Sequence, residues 1–551
     1  MLYKITKAFP LNLIFPSHHL GQLIAGYLKD IILIIISSFL LVISFPRYDL
    51  GAFAWVSLAP FFLVITRKSP IYAFILSTMF GIFFFTGIFQ WILVIRNYTL
   101  LHHALLAIYL GLYFGLFGLI FSFICLRRGV ALALFAAPFI WVSLEYLRSS
   151  LSFLALPWGL LGHSQYQHPL VIQIAALVGT YGVSFLIVMV NSAIVSLTYP
   201  FFRRLIAFGQ SKDIIINQKP SKPLMIIAAL LTTFTLIYGY VITSRPIIGK
   251  RIRISAVQGN IKQSKKFDPR YADEIMRLYT SMTRESAKNR PNLIIWPETA
   301  TPESVNRNSG LYSELKTLVN ETSVPVLTGS AEYQKFEKAE DNENSYFNSA
   351  VLFEPEPETE KPQRYNKIRL FPFGEYLPYK GFIPWPMLNV PELGHYIPGE
   401  IFTVFHLPDF SFGATICWEN VFADLVRQFV RRGAECIINI TNEGHFGKTA
   451  APYQLAAISV FRAVENRIFV IRCGNTGISC IIDPYGRIIN RAKNDQGEDI
   501  FIRGVLNGWV VPMQTKTFYT EFGELAVWIG FLGAFVIILF SMYHRENEEL
   551  S

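Results

Sequence analysis

From Asp30 to about Ile242 the chain is a succession of apolar runs broken by short loops. Each run is near the ~20 residues that a helix needs to cross a bilayer. The pattern predicts spans over 30–45, 51–66, 71–95, 104–126, 130–147, 170–200 and 224–243, and an eighth over 525–543. The first run has no small-residue cleavage site behind it and reads as a retained span, not a signal peptide.

Between these blocks the period changes. Ile252–Val257, Asn292–Trp296, Val324–Leu327, Phe412–Cys417, Cys436–Thr441 and Ile468–Arg472 read as strands. A helix is expected after the first, capped by Asp268, with Pro269 in its first turn and Ile275, Leu278, Tyr279 and Met282 on one face. A second follows Cys417, with Val421, Leu425 and Phe429 on one face and Arg427, Arg431 and Arg432 toward its end. Asp483–Gly486 reads as a hairpin turn. Strands alternating with helices predict an α/β domain. The expected division is a membrane domain over 1–244, an α/β domain over 245–520, and a final span with a short tail over 521–551.

Composition sharpens this. Hydrophobic residues make up 52% and charged residues only 16%, against an ordinary ~25% charged. A uniformly soluble chain is excluded. So is disorder, since the chain carries 47 Phe and 26 Tyr. Five Cys in 551 residues exclude a disulfide scaffold. The net charge of +10 suggests nucleic acid until its location is read. Lys4, Lys7 and Lys29, then Arg67 and Lys68, then Arg127 and Arg128, then Arg203, Arg204, Lys212, Lys219 and Lys222 all fall in loops on one side. The opposite loops hold Arg96 and Arg148 and little else. This is the positive-inside pattern, so no nucleic-acid partner is expected. It places both termini in the cytoplasm and residues 245–520 outside.

Cys417 ends an apolar strand and opens a helix, where a helix N-terminus lowers a thiol's pKa; the alternative is a small buried hydrophobe. Cys436, Cys473 and Cys480 lie in strand-like runs and Cys125 in a span, where packing is the simpler role. Cys473 and Cys480 are a possible disulfide by compartment, which spacing leaves open. Glu298 follows a strand beside Trp296, the setting of a carboxylate base or of a helix-cap partner. Lys367 stands among apolar residues, reactive or snorkelling. No Cys or His pair has metal-ligand spacing, and the adjacent pairs His18–His19 and His102–His103 suit one metal poorly.

Glu298 in Trp-Pro-Glu, Lys367 ahead of Phe-Pro-Phe-Gly-Glu, and Cys417 in Ile-Cys-Trp-Glu occur in that order. The order resembles the carbon–nitrogen hydrolase (nitrilase) superfamily, and the whole chain resembles the apolipoprotein N-acyltransferase family. Val257-Gln-Gly-Asn260, Tyr346-Phe-Asn-Ser349, Thr441-Asn442 with Phe446-Gly447, Asn475-Thr-Gly477, Pro157-Trp158 and Tyr181–Phe185 with Asn191 extend the likeness. The resemblance implies an αββα sandwich on about eight spans and a Glu298–Lys367–Cys417 triad. It implies Glu375, Glu419 and Trp418 as supporting or oxyanion-site residues. It also implies a phospholipid acyl donor, a diacylglyceryl-apolipoprotein acceptor, contact with the lipid bilayer, a bacterial inner-membrane location, and no cofactor or metal. Phe267 and Trp385 are candidate lid residues, and Glu145 with Arg148 either form an ion pair or meet a headgroup. Two positions depart from the family pattern. Trp418 stands where Tyr is common, and Glu443-Gly444-His445 where Asp-Ala-Trp is common. A membrane-anchored amidase, a transporter or receptor with a degenerate enzyme domain, and a non-catalytic scaffold are the rival readings.

Overall fold

The computed structural model describes residues 17–66, 68–206, 220–334, 345–355, 362–379, 382 and 396–543. Lys4, Lys7, Arg67, Lys212, Lys219, Trp385 and the tail 544–551 lie outside them.

The apolar runs form α1 (Ser17–Ile43), α2 (Ala54–Ile65), α3 (Pro70–Phe89), α4 (Leu100–Arg128), α5 (Val130–Ser150), α6 (Ala175–Ile206) and α7 (Lys222–Thr243). Among the described residues, seven helices are long and apolar enough to cross a membrane, the seventh at the C-terminal end of the chain. The expected span over 51–66 is not one of them. Its 12-residue α2 rises only about 18 Å. It is buried on most sides, so protein rather than lipid surrounds it. Phe61 and Phe62 of α2 stack on Phe80 of α3 and Phe117 of α4, with ring centroids 4.4 and 5.5 Å apart. At the end of this group a buried Lys68–Asp30 pair, 2.6 Å apart, ties α1 to the α2–α3 turn. α6 bends at Gly179 (φ +67°), where a Cβ would strike the Tyr519 ring.

The α/β part holds two six-stranded sheets. One runs β12-β1-β2-β3-β4-β5 and the other β11-β10-β9-β8-β7-β6. The first contains β1 (Ile252–Gln258), β2 (Leu293–Ile295), β3 (Val326–Gln334), β4 (Ser345–Phe353), β5 (Gln363–Asn366) and β12 (Gly504–Val510). The second contains β6 (Val404–Leu407), β7 (Phe410–Ile416), β8 (Cys436–Thr441), β9 (Phe469–Gly474), β10 (Cys480–Ile482) and β11 (Ile488–Arg491). β1–β2–β3 and β7–β8–β9 pair in parallel, and the outer strands are antiparallel. Asp483–Gly486 turns the β10–β11 hairpin as expected.

β8 and β9 are buried at every position, because each sheet is covered on both faces. The Cys473 thiol of β9 meets Val257 O of β1 and Ile295 O of β2, so the sheets face each other. On the outer face of the first sheet, Val257 and Ile294 pack against α8 (Ala272–Ala287) and α9 (Ser309–Thr322). α10 (Ala423–Arg431) and α11 (Ala451–Asn466) cover the second. The result is an αββα sandwich.

α11 docks the sandwich on the helices. Trp91 and Trp158 of the helical part both donate to Gln454 Oε1, at 3.1 and 2.9 Å. Gln454 Nε2 donates to Pro46 O and Ile88 O, at 3.2 and 3.0 Å. One amide therefore meets four groups of the bundle. Farther along α11, Arg462 Nη1 donates to Val421 O (3.0 Å) and Nη2 to Thr180 Oγ1 of α6 (3.3 Å). α12 (Leu525–Tyr543) closes the chain against α5.

Candidate active site

Cys417 follows β7 and opens a turn of 3-10 helix over Cys417–Val421. Its φ is +55°, in the left-handed region that a residue with a Cβ rarely adopts. Such strain is held in place by surrounding bonds. Glu419 supplies them. Its Oε2 accepts Ile416 N–H at 2.8 Å. Its Oε1 accepts Ile368 N–H (2.7 Å), Arg369 N–H (3.0 Å) and Tyr365 O–H (2.8 Å). Glu419 thus clamps the Cys417 turn to the segment that follows Lys367, and these four bonds all run to structural groups. Burial raises its pKa, against these bonds and Lys367. Trp418 points away, its Nε1 on Arg369 O (2.7 Å) and its ring against Phe371 and Phe422. On the other side, Asn420 Nδ2 donates to Ser459 Oγ of α11 at 2.7 Å.

Glu298 leaves the end of β2 on a turn whose next residue, Thr299, has φ +43°. The turn lies directly on Gly329 of β3, where a Cβ would collide with Pro297 O and Thr299 N. Glu298 is 6% exposed. Its Oε1 accepts Asn348 Nδ2 (2.8 Å) and its Oε2 accepts Asn442 N–H (2.7 Å). Lys367 follows β5 and is 1% exposed. Its Nζ lies 2.9 Å from Glu375 and 3.7 Å from Glu298. Glu375 also accepts Asn348 Nδ2 (2.8 Å) and Phe371 N–H (2.7 Å). The structure therefore gathers Glu298, Lys367 and Glu375, and Asn348 joins the two carboxylates.

Cys417 belongs to the same group, since Glu298, Lys367 and Glu375 all act on its charge. Burial, and then Glu298, pushes its pKa up to about 12, with Lys367 pulling the other way. The expected lowering by a helix N-terminus is not found. A five-residue 3-10 turn offers little aligned dipole, and an anionic neighbour outweighs it. The thiol is protonated at rest, so its attack requires a base. For Lys367, burial opposes the charge, but Glu375, Glu298, Cys417 and Glu419 together raise its pKa and keep it cationic.

Lys266, 3% exposed, was not singled out by its sequence. Its Nζ donates to Glu298 O at 2.6 Å. Burial lowers its pKa to about 8, against Glu298 and Cys417. Phe267 beside it is exposed. Glu145 and Arg148 lie apart from this group and are not open to lipid. Arg148 Nη1 donates to Leu156 O and Trp158 O, both at 2.7 Å, and Glu145 Oε1 accepts Leu161 N–H at 2.8 Å. They fix the loop that carries Trp158. All five cysteines are free. Arg472, not Cys473, stands opposite Cys480 in the β9–β10 register, so the two thiols point to opposite faces. Among the described residues no three His, Cys, Asp or Glu side chains gather to hold a metal.

Next to Ile368 and Trp418, the residues that follow Lys367 and Cys417, a cavity of about 640 Å³ lies between the sandwich and the helices. Tyr146, Phe153, Tyr181, Leu370, Tyr396 and Trp418 are among its walls.

Comparison with known proteins adds a second line of support. Residues 37–193 match the family described as apolipoprotein N-acyltransferase N-terminal domain, and residues 253–505 match carbon-nitrogen hydrolase. An apolipoprotein N-acyltransferase of Geobacter metallireducens is 33% identical over 518 residues, covering 92% of this chain and 94% of that protein. Apolipoprotein N-acyltransferase 1 of Treponema denticola is 27% identical over 551 residues, covering 93% and 95%. The crystal structure of Saccharomyces cerevisiae Nit3, of the nitrilase superfamily, has a TM-score of 0.36 at 19% identity, covering 49% of this chain and 93% of that one. On the first relative, aligned over nearly the full length of both proteins, this multi-pass membrane chain belongs to the apolipoprotein N-acyltransferase family.

Proposed function

We propose that the protein transfers a fatty-acyl chain from a membrane phospholipid to the α-amine of a lipoprotein's N-terminal diacylglyceryl-cysteine, through a thioester on Cys417. The supporting observation is the gathering of Glu298, Glu375 and Lys367, whose Nζ lies 3.7 Å from Glu298 and 2.9 Å from Glu375, around the charge of Cys417. In the first half-reaction Glu298 takes the thiol proton as sulfur attacks the ester carbonyl. Lys367 stabilises the oxyanion. The carbon–oxygen bond breaks, Glu298 returns the proton to the leaving glycerol oxygen, and lysophospholipid departs. In the second, the acceptor nitrogen attacks the thioester, Glu298 takes a proton from it, and the sulfur leaves as thiol. Kinetics are ping-pong. Asn348 holds the Glu298 and Glu375 carboxylates in place.

The units over 1–244, 245–520 and 521–551 divide this work. The first and last hold the sandwich at the bilayer, and the middle one performs the chemistry. With α2 returning the chain to the Asp30–Lys68 end as an eighth, shorter crossing inside the bundle, the basic loops support an outward-facing sandwich with both termini in the cytoplasm. The cavity, walled by Tyr146, Phe153, Tyr181 and Leu370 and also by Arg369, Asp424, Arg462 and Glu524, suits a lipid with an acyl chain and a polar headgroup better than a small amide.

The test is purified enzyme in phospholipid vesicles with a synthetic diacylglyceryl peptide. N-acyl peptide and lysophospholipid in equal amounts are expected. Free fatty acid with no N-acyl peptide would make the protein a hydrolase.

A further inference from the structure

The two lipids of the acyl-transfer reading share a reactive group. Donor and acceptor each carry glyceryl esters, and Cys417 attacks such an ester. A thiol that met both lipids alike would strip acyl chains from its own acceptor. The donor differs by an anionic phosphodiester a few bonds from its esters, where the acceptor has a neutral thioether. A cation beside the triad can tell them apart.

We propose that Arg369 binds the donor's phosphodiester and so selects phospholipid over other diacylglyceryl lipids. This rests on the acyl-transfer reading above. Arg369 stands two residues after Lys367, so their Cα atoms are within about 7 Å of each other. Its backbone is tied to the two residues that follow Cys417. Its N–H donates to Glu419 Oε1 at 3.0 Å, and its carbonyl accepts Trp418 Nε1 at 2.7 Å. Its side chain walls the cavity of about 640 Å³ and is 35% exposed, open to a ligand. Among the described residues the wall has one further arginine, Arg462. That side chain is buried and committed to Val421 O, Thr180 Oγ1 and Glu465.

What Arg369 holds without lipid is readily exchanged. The Phe422 ring lies against the guanidinium, with Cζ 4.2 Å from the ring centroid, and fixes its plane. Nη2 pairs with Asp424 Oδ2, whose side chain is 48% exposed. An ion pair so open to water contributes little. Asp424 also lies in the first turn of α10, where the helix dipole favours a carboxylate with or without a cation beside it. A phosphodiester matches the guanidinium fork with two oxygens, the stronger arrangement. Phosphate that displaces Asp424 from the fork therefore releases a carboxylate that is already stabilised. The few bonds from phosphorus to the ester carbonyls match the short step from Arg369 to Lys367.

The experiment follows thioester formation on Cys417 by intact mass in mixed micelles. The donors are phosphatidylethanolamine and, separately, diacylglycerol with the same chains, which has the esters and no phosphate. The wild type loads faster from the phospholipid. In Arg369→Met the ratio of the two loading rates falls about 10–100-fold, through a higher KM for phospholipid, and Arg369→Lys recovers part of it. Asp424→Asn frees the guanidinium and raises the ratio a few-fold. Two substitutions that break one ion pair then act in opposite directions, which a structural brace cannot produce. If both lower the ratio alike, if Arg369→Met slows loading from the two lipids equally, or if the wild type loads equally from both, Arg369 does not read phosphate. A wild-type enzyme that loads from neither lipid would instead sink the acyl-transfer reading beneath it.

Discussion

Two buried clusters of charge, Glu145 with Arg148 in the helical bundle and Glu298 with Lys367 and Glu375 in the sandwich, are satisfied in different ways. In α5, Arg148 gives its Nη1 hydrogens to backbone carbonyls and Glu145 takes a backbone N–H, both from the 156–161 loop. In the sandwich, Lys367 faces two carboxylates, and Glu298 and Glu375 share the Asn348 amide. All three act on one sulfur. Charges tied to backbone hold a shape. Charges tied to one another beside a thiol are poised to move a proton or meet an oxyanion. Glu419 shows the rule within the sandwich, since it is as buried as Glu298 yet its carboxylate accepts three backbone N–H groups and a phenol.

The sharpest way to break this comparison is to remove one charge from each cluster. Lys367→Met leaves two buried carboxylates without their cation, and acyl transfer should fall by about 10³-fold or more. Glu298→Gln keeps the shape and the Asn348 contact but removes the base, so thioester formation should slow by about 10²–10⁴-fold. Arg148→Met should cost about 3 kcal/mol of stability, read as a lower melting temperature in detergent. Thioester formed per folded molecule should stay near wild type. If instead Arg148→Met removes activity from folded protein, the division between shape and chemistry is wrong.

Gln454→Leu is an intermediate case. It removes the four bonds to Trp91, Trp158, Pro46 and Ile88 but leaves Ser459 on Asn420 and Arg462 on Val421. Turnover of vesicle phospholipid should drop several-fold while a water-soluble acyl ester is affected less. Equal losses would mean that docking also sets the Cys417 turn. The smallest effect is expected from Lys266→Met. With a pKa of about 8, Lys266 is charged below pH 8 and neutral above it. The variant's deficit, a few-fold at pH 7, should therefore narrow as pH rises past 8. A deficit that is constant from pH 6 to 9 would make Lys266 a packing residue only.

Much of this was legible in the chain. Cys436–Thr441 reads as a strand and is one, because a fully covered strand is a short apolar run. Glu298, Lys367 and Cys417 follow strand ends, where topology brings loops together. α11 left no signal. Every residue in it except Tyr453 is buried, so it has no polar face to set a helical period. Asn348 sits mid-strand in β4, and only the pairing of β4 with β5 brings it to Lys367. The direction of the Cys417 pKa was also hidden, since it depends on Glu298, 119 positions away in sequence and adjacent only in the fold. The shortness of α2 followed from its burial, which hydropathy cannot register.

The central claim is that Cys417 carries the acyl chain. Intact-mass analysis after incubation with phospholipid tests it most directly. The account predicts a fatty-acyl adduct on the wild type that hydroxylamine removes and that Cys417→Ser does not acquire as a hydroxylamine-labile species. A wild-type enzyme that makes N-acyl peptide yet shows no such adduct, or a Cys417→Ser variant that still forms one, would contradict it.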